Sequence, residues 1–350
     1  MNVKMTEKEV DQVSSLLKRV APEMVELIET RYNILSVVSF LEPIGRRMLS
    51  TKLNMTERVI RKEANTLKQQ GLVNFTLEGM TMTQNGEEAL ELLRIFFRDL
   101  KGIRNLESVV AEKLNIQKVI VGSTILGNNE LALKELGKSG AAVLASHISG
   151  NSTIGITGGT AVHSVVEEFP EEEYNHTDSY VIPARGGLGK RTEYQANTLV
   201  EKLAGKIGSH YKLLYTPDVL SKATIETLKN EPEIKEIIDL MDNIDVLLFG
   251  VGEAQAMAKR RSLPDNLMKE LEAKGAVSEG FGYYFNKAGE IVHEISTIGI
   301  SLELYKNLGS VIAIAKGPEK AEAIISIAKL NPNLVLISDE STINKINELV

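Results

Sequence analysis

Two periodicities divide this 350-residue chain. Up to about residue 115 apolar positions recur every three to four residues, the spacing of amphipathic helices. Val10, Val13, Leu16, Leu17 and Val20 form one stripe, interrupted by Pro22. Met24, Leu27, Ile28, Tyr32, Leu35, Val38 and Leu41 form a second. Glu42-Pro43-Ile44-Gly45 makes a turn, and residues 46–53 a short helix. After Asn54-Met55, Thr56 is placed to cap a helix over residues 57–70, which Gly71 ends. Short strands at 72–75 and 80–82 flank Glu78-Gly79 as a hairpin. This order predicts a winged helix-turn-helix, with the helix from Glu57 as recognition helix. Residues 85–114 read as one long helical stretch. Leu90, Leu93, Phe97 and Leu100 follow heptad-like spacing, and Ile103, Leu106, Val110 and Leu114 continue in a shifted register. Such a segment serves either as a dimerisation helix or as a helix packed on its own domain.

From residue 118 the pattern changes. β-rich runs at 119–122, 153–156, 180–182, 212–215, 246–249, 311–315 and 334–337 alternate with helical segments at 131–147, 161–168, 192–206, 234–241, 254–261, 319–329 and 341–349. This alternation predicts a mostly parallel sheet covered by helices on both faces, in which ligands sit beyond the carboxyl ends of the strands. The expected division is a DNA-binding domain at 1–84, a linker or dimerisation helix at 85–115, and an α/β effector domain at 116–350.

Charge sharpens the first half. The net charge is −7, which argues against nucleic acid if taken globally. Between residues 44 and 68, however, Arg46, Arg47, Lys52, Arg58, Arg61, Lys62 and Lys68 face only Glu57 and Glu63. A basic module on an acidic body fits a DNA-binding domain joined to a sensor. Thr56, Glu57, Arg58, Arg61 and Lys62 are expected to point outward. Arg58 or Arg61 suits guanine, and Arg46, Arg47 and Lys62 suit phosphates. A solvated helix face would have the same composition. The chain has no cysteine, so disulfides and thiolate metal sites are excluded. No apolar run approaches the roughly 20 residues of a membrane span, and the first 12 residues lack a signal-peptide core. The expectation is a cytoplasmic protein without membrane partners. The histidines show no metal-ligand spacing, so no metal is expected.

The chemistry concentrates in the turns after the strands. Ser152-Thr-Ile-Gly-Ile-Thr157-Gly-Gly-Thr160 is a β-branched run ending in a glycine turn before a helix, an arrangement that points backbone N–H groups at an anion. It lacks the lysine of a nucleotide-triphosphate loop. Pro183-Ala-Arg185-Gly-Gly187-Leu188-Gly-Lys190 follows a second strand and adds a fork-shaped phosphate donor, Arg185, with Gln195 expected in the first turns of the next helix. Gly250-Val-Gly252 resembles the start of a dinucleotide fingerprint, but Gln255 stands where a third small residue belongs, which disfavours NAD. Lys259, Arg260 and Arg261 face either phosphate or solvent. Glu279 is either a sugar-hydroxyl acceptor or a surface acid. Lys320 opposes the helix dipole at a helix start and so fits an anion.

Taken together, Ile156-Thr-Gly-Gly-Thr160, Pro183-Ala-Arg-Gly-Gly-Leu-Gly189, Gln195-Ala-Asn-Thr198, Gly250-Val-Gly-Glu-Ala254 and Phe281-Gly-Tyr-Tyr-Phe-Asn286 resemble the SorC-type sugar-responsive transcriptional regulators, as do Glu42-Pro-Ile-Gly-Arg-Arg47 and Thr56-Glu-Arg-Val59. The resemblance covers all but about the first 25 residues. It implies a winged-helix domain joined to a Rossmann-like domain similar to sugar-phosphate isomerases and deaminases. The implied function is a homodimeric or homotetrameric repressor of glycolytic genes, relieved from operator DNA by fructose-1,6-bisphosphate or a related phosphosugar. It also implies ligand contacts at Gly159, Thr160, Ala161, Arg185, Gly187, Leu188, Gln195, Arg260, Glu279 and Lys320. Ala161 departs from the pattern, which has a second threonine there; the backbone N–H is retained. A sugar-phosphate isomerase or deaminase, with Glu279 or Lys320 as acid–base groups, is the rival from another class.

Overall fold

The computed structural model describes residues 16, 19–122, 129–170, 178–187 and 191–350. They form two compact units, one of residues up to 106 with 129–132, the other of residues 107–122 with 133–350.

The first unit runs through helices Pro22–Leu41, Arg46–Leu53 and Glu57–Gln69 into strands β1 (Val73–Phe75) and β2 (Met80–Met82), then helix Gln84–Leu100. β1 and β2 pair antiparallel, with Asn74 opposite Thr81. This is the expected winged helix-turn-helix order. Its core is the set of apolar stripes meeting: Ile34, Leu35, Val37 and Val38 from the first helix, Leu49 and Leu53 from the second, Ile60, Ala64 and Leu67 from the third, with Val73, Met80, Leu90 and Phe97. Val10, Val13 and Leu17 of the first predicted stripe lie outside the described residues.

The long helical stretch predicted at 85–114 is two helices, Gln84–Leu100 and Ile103–Leu114. Gly102 sits between them at φ 65°, and its N–H donates to the Asp99 carbonyl. A residue in the left-handed region ends a helix, and this break is the physical cause of the register shift after Leu100.

In the second unit seven strands form a parallel sheet: β3 (Lys118–Gly122), β4 (Thr153–Ile156), β5 (Tyr180–Pro183), β6 (His210–Tyr211), β7 (Val246–Gly250), β12 (Val311–Ile314) and β13 (Leu334–Asp339). Their order is β3-β13-β12-β7-β4-β5-β6. On one face Ile154, Ile156, Leu248, Ile312 and Ile314 pack under Val162 and Val165 of helix Thr160–Glu168 and Leu199 and Leu203 of helix Ala196–Ile207. On the other, Phe249 packs on Phe281 and Tyr305, with ring centroids 5.0 and 5.6 Å away. From β4 the chain winds outward through β5 and β6; from β7 it winds the other way through β12 and β13. The topological switch point therefore lies between β4 and β7, where open α/β sheets leave a crevice.

Among the strands, two features depart from the expected pattern. The edge strand is His210–Tyr211, not 212–215. Beyond Lys212, Leu214 exchanges hydrogen bonds with the Asn197 side chain instead of a neighbouring strand, and Tyr215 is exposed. A four-stranded antiparallel sheet, β11-β10-β9-β8, was not expected. It comprises β8 (Gly252–Glu253), β9 (Ala276–Gly280), β10 (Tyr283–Asn286) and β11 (Ile291–Glu294).

One buried charge fixes the recognition helix. Glu63 accepts from Arg31 Nε at 2.9 Å and lies 3.2 Å from Lys62 Nζ. Burial raises its pKa, but Arg31 and Lys62 outweigh that and hold the carboxyl below the ordinary 4.5. A depressed acid stabilises the fold above its unfolded pKa and loses that contribution as pH falls through the folded value. Glu63→Gln should therefore cost about 1.5–3 kcal/mol near neutral pH, the size of a hydrogen bond to a charged group. Its loss of stability on acidification should also be shallower than that of the native chain. Urea unfolding at neutral and acidic pH measures both; parallel pH profiles would contradict this role.

Candidate functional site

The carboxyl edge of the sheet holds a cavity of about 570 Å³ at the switch point, lined by the turns that follow four strands. After β4, Thr157 locks the two strands at the switch: its N–H donates to the Leu248 carbonyl, and its Oγ1 accepts from the Gly250 N–H at 3.3 Å. Gly158 has no room for a side chain, since a Cβ would lie 2.6 Å from the Tyr194 carbonyl oxygen. Gly159 caps helix Thr160–Glu168 at φ 130°, and no side chain caps that helix. The N–H groups at the start of a helix have no carbonyl partner within it. Here Gly159, Thr160 and Ala161 line the cavity; the Gly159 N–H donates to the Tyr194 carbonyl at 2.9 Å, so the N–H groups of Thr160 and Ala161 and the positive end of the dipole belong to the cavity wall.

After β7 the chain does not enter a helix directly. Gly252-Glu253 first forms β8 against β9, and Glu253 then caps helix Ala254–Arg260 through the Gln255 and Ala256 N–H groups. That extra strand, which begins at Gly252, separates Gly250 from the helix start and further removes the dinucleotide reading. The helix turns Ala254, Ala258 and Arg261 inward and leaves Lys259 and Arg260 exposed. Arg260 lines the cavity. After β12, Pro318–Lys320 forms a 3-10 turn, with Lys320 capping the following helix, Ala321–Ala328. Pro318 has no N–H and Gly317 has φ 109°, so an α-helix starts only afterwards, later than expected. Lys320 also lines the cavity. Burial pulls its pKa below the usual lysine range, and Glu319 and Asp339 only partly offset this. An anion in the cavity would reverse that penalty.

Arg185 follows β5 and lines the cavity with Glu279 of β9. Both are buried, so the surface-acid reading of Glu279 fails. Arg185 Nη1 donates to Glu279 Oε1 at 3.0 Å, and its Nη2 pairs with Asp218 Oδ1. Arg261 completes a square: its Nε donates to Asp218 Oδ2 at 2.7 Å, its Nη2 lies 2.9 Å from Glu279 Oε1, and its Nη1 bonds the Tyr284 hydroxyl at 3.1 Å. Burial alone would raise the Glu279 pKa, but Arg185 and Arg261 hold it below the usual range. Burial opposes the charge on Arg261, and Glu279 and Asp218 more than restore it.

Of the expected ligand residues, the cavity thus gathers Gly159, Thr160, Ala161, Arg185, Arg260, Glu279 and Lys320. Gly187 and Gln195 are not among its lining residues. They sit beside each other: a Cβ on Gly187 would lie 3.2 Å from Gln195 Oε1. Gln195 caps helix Ala196–Ile207 rather than lying within its first turns, because a separate 3-10 turn, Thr192–Tyr194, precedes it. Leu188 lies outside the described residues. Asp218, Arg261 and Tyr284 were not picked out as site residues. Arg261 carries a signal, because its i, i+4, i+7 phase with Ala254 and Ala258 places it on the inward face. Asp218 follows Pro217 in a loop and has no such phase.

In the first unit Thr56 accepts from the Val59 N–H and caps the recognition helix. Arg46, Arg47, Thr56, Glu57, Arg58, Arg61 and Lys62 are all exposed. Arg47 lies 3.6 Å from Glu57, while Arg58 and Arg61 make no ion pair among the described residues. Lys68 and Arg46 both sit over the wing's Phe75 ring, 4.8 and 5.9 Å from its centroid, tying the helices to the hairpin. No helix among the described residues is long and apolar enough to cross a membrane.

The chain matches two family models. Residues 27–97 match the "CggR N-terminal DNA binding domain" and residues 98–347 the "Putative sugar-binding domain". It is 36% identical to the central glycolytic genes regulator of Bacillus subtilis, over 96% of this chain and 99% of that protein. It is 37% identical to the protein of the same name from Priestia megaterium, over 92% and 94% of the two chains. The solved structure of a regulator assigned to the SorC family, from Enterococcus faecalis, superposes with TM-score 0.63 at 33% identity, covering 69% of this chain and 99% of that one. The full-length sorbitol operon regulator SorC of Klebsiella pneumoniae shares the fold at 20% identity, with TM-score 0.65 over 87% and 94% of the two chains. With the DNA-binding family model matched in its first hundred residues and the sugar-binding family model over the rest, this chain belongs to the SorC-type family of sugar-binding transcriptional regulators.

Proposed function

We propose that this protein represses glycolytic genes and releases operator DNA when fructose-1,6-bisphosphate fills the cavity. The relatives named central glycolytic genes regulator support the regulatory part. The effector reading rests on one observation: an uncapped helix N-terminus shares a cavity at the switch point with Arg260 and Lys320, neither of which has an ion pair among the described residues. Two cations and a backbone cradle suit a ligand with two phosphates. Thr160 and Ala161 would cradle one phosphate through N–H groups, which the alanine side chain leaves intact, with Gly159 beside them in the turn. Glu279 would accept sugar hydroxyls, and Gly187, Leu188 and Gln195 complete the proposed set. Held ionised by two arginines, Glu279 is a poor general acid, which favours a sensor over a sugar-phosphate isomerase or deaminase.

On DNA, Arg58 or Arg61 would meet a base edge, with Thr56 and Glu57 at the helix start and Arg46, Arg47 and Lys62 on phosphates. Leu90, Leu93, Phe97 and Leu100 pack into the first unit's own core, so joining copies into a homodimer or homotetramer would fall to the exposed Leu92 and Ile95 within the 85–115 segment, between a DNA-binding domain at 1–84 and an effector domain at 116–350, in the cytoplasm. The effector must bind two states of this assembly with different affinity, or it shifts nothing.

Titrating fructose-1,6-bisphosphate into the protein–operator complex, followed by fluorescence anisotropy, should lower operator affinity by about 5–150-fold, the usual range of allosteric coupling. Unchanged affinity and stoichiometry at millimolar ligand would contradict the mechanism, and a thermal-shift panel of other phosphosugars then identifies a different effector. Arg58→Ala should weaken operator binding by about 1–3 kcal/mol, the value of one base contact, and leave sugar-phosphate binding unchanged. Loss of both would contradict the separation of roles.

A further inference from the structure

Two of the four charges in the buried square do not line the cavity: Asp218 and Arg261. Asp218 uses both carboxylate oxygens, Oδ1 for Arg185 and Oδ2 for Arg261. Arg261 in turn reaches Glu279 and the Tyr284 hydroxyl. The square joins the turn after β5, the loop at Thr216-Pro217-Asp218, the end of helix Ala254–Arg260, β9 and β10. The turn itself is clamped from behind: the Gly186 N–H donates to the Ile298 carbonyl, and Ile300 N–H to that of Ala184. On Glu279, Oε1 takes both arginines and the Gly282 N–H at 3.1 Å, while Oε2 takes no hydrogen bond among the described residues. Glu279, which lines the cavity, is thereby held with one oxygen committed to protein and the other without a hydrogen bond among the described residues.

We infer that Asp218 and Arg261 are positioning residues for sugar recognition: they fix Arg185 and Glu279 in the one arrangement that presents a carboxylate oxygen to a ligand hydroxyl. This rests on the proposed sugar-phosphate reading of the cavity. Its electrostatic signature is distinctive. Two arginines and two carboxylates balance, so the square adds no net charge to the anion site. Replacing Asp218 by Asn leaves it at +1. On charge alone that variant binds anions more tightly. If Asp218 instead positions Arg185 and, through Arg261, Glu279, it binds the sugar ligand more weakly while keeping its hold on a bare anion.

The test compares fructose-1,6-bisphosphate with inorganic pyrophosphate, which has two phosphate groups and no hydroxyl-bearing sugar, by calorimetry on the native full chain, Asp218→Asn and Arg261→Lys. Arg261→Lys keeps the charge and loses the fork that spans Asp218, Glu279 and Tyr284. Both variants should lose at least about tenfold in sugar-bisphosphate affinity relative to pyrophosphate, the value of one hydrogen bond to a charged group. A scaffold role lowers melting temperature without moving that ratio. A ratio equal to the native one, or tighter sugar binding by Asp218→Asn, overturns the inference. Should either variant fail to fold, Tyr284→Phe, which removes only the hydroxyl on Arg261 Nη1, must shift the ratio in the same direction. If the native chain binds pyrophosphate but not the sugar bisphosphate, the effector reading falls, and this inference with it.

Discussion

Burying two arginines and two carboxylates together is the constraint on which the effector unit depends. An isolated charge at that depth would cost several kcal/mol, and removal of any one partner leaves such a charge behind. Arg185, Asp218, Arg261 and Glu279 are therefore stable only as a set, and the set comes from segments far apart in sequence. Closing it pulls the turn after β5, the 216–218 loop, the helix end at Arg260 and β9 into one wall. Because the square is neutral, it does not supply the site's net attraction for anions. That falls to Arg260, Lys320 and the open start of helix Thr160–Glu168. On the proposed reading, rigid neutral recognition and separate positive attraction are carried by different residues of one cavity.

Much of this was legible in the sequence. Six of the seven parallel strands lie where β-branched runs preceded polar turns, because a strand buried on both faces must be continuously apolar. Thr157-Gly158-Gly159-Thr160 announced its turn through the lack of side chains that the close approach of Tyr194 requires. The helix-turn-helix was visible from Thr56 and Gly71 at the ends of an amphipathic helix. Other features depend on tertiary partners. The edge strand at His210–Tyr211 is two residues long and exposed at both, too short for a periodic signal. Glu279 immediately precedes a glycine-aromatic run, and nothing local says whether such an acid faces solvent or two arginines. Asp218 acquires its role only when the loop folds onto Arg185 and Arg261. Lys259, Arg260 and Arg261 are alike as residues, and only helical phase against Ala254 and Ala258 separates them into solvent-facing, cavity-lining and buried.

The same division of labour appears in the first unit. Glu63 is buried and bonded to Arg31, so it orients the recognition helix, whereas Arg58 and Arg61 are exposed on it. A chain with net charge −7 has an exposed basic face on this helix, the face proposed to meet DNA, because the acids within that segment are spent internally: Glu63 on Arg31 and Lys62, and Glu57 near Arg47 at the helix start, where its charge favours the dipole.

The most direct measurement is a crystal structure of the chain with fructose-1,6-bisphosphate. Density for a phosphate against the N–H groups of Thr160 and Ala161, with a sugar hydroxyl on Glu279 and the Arg185–Asp218 pair intact, is the expected result. Ligand density elsewhere, or an empty cavity at saturating ligand, would contradict the assignment of this cavity as the effector site.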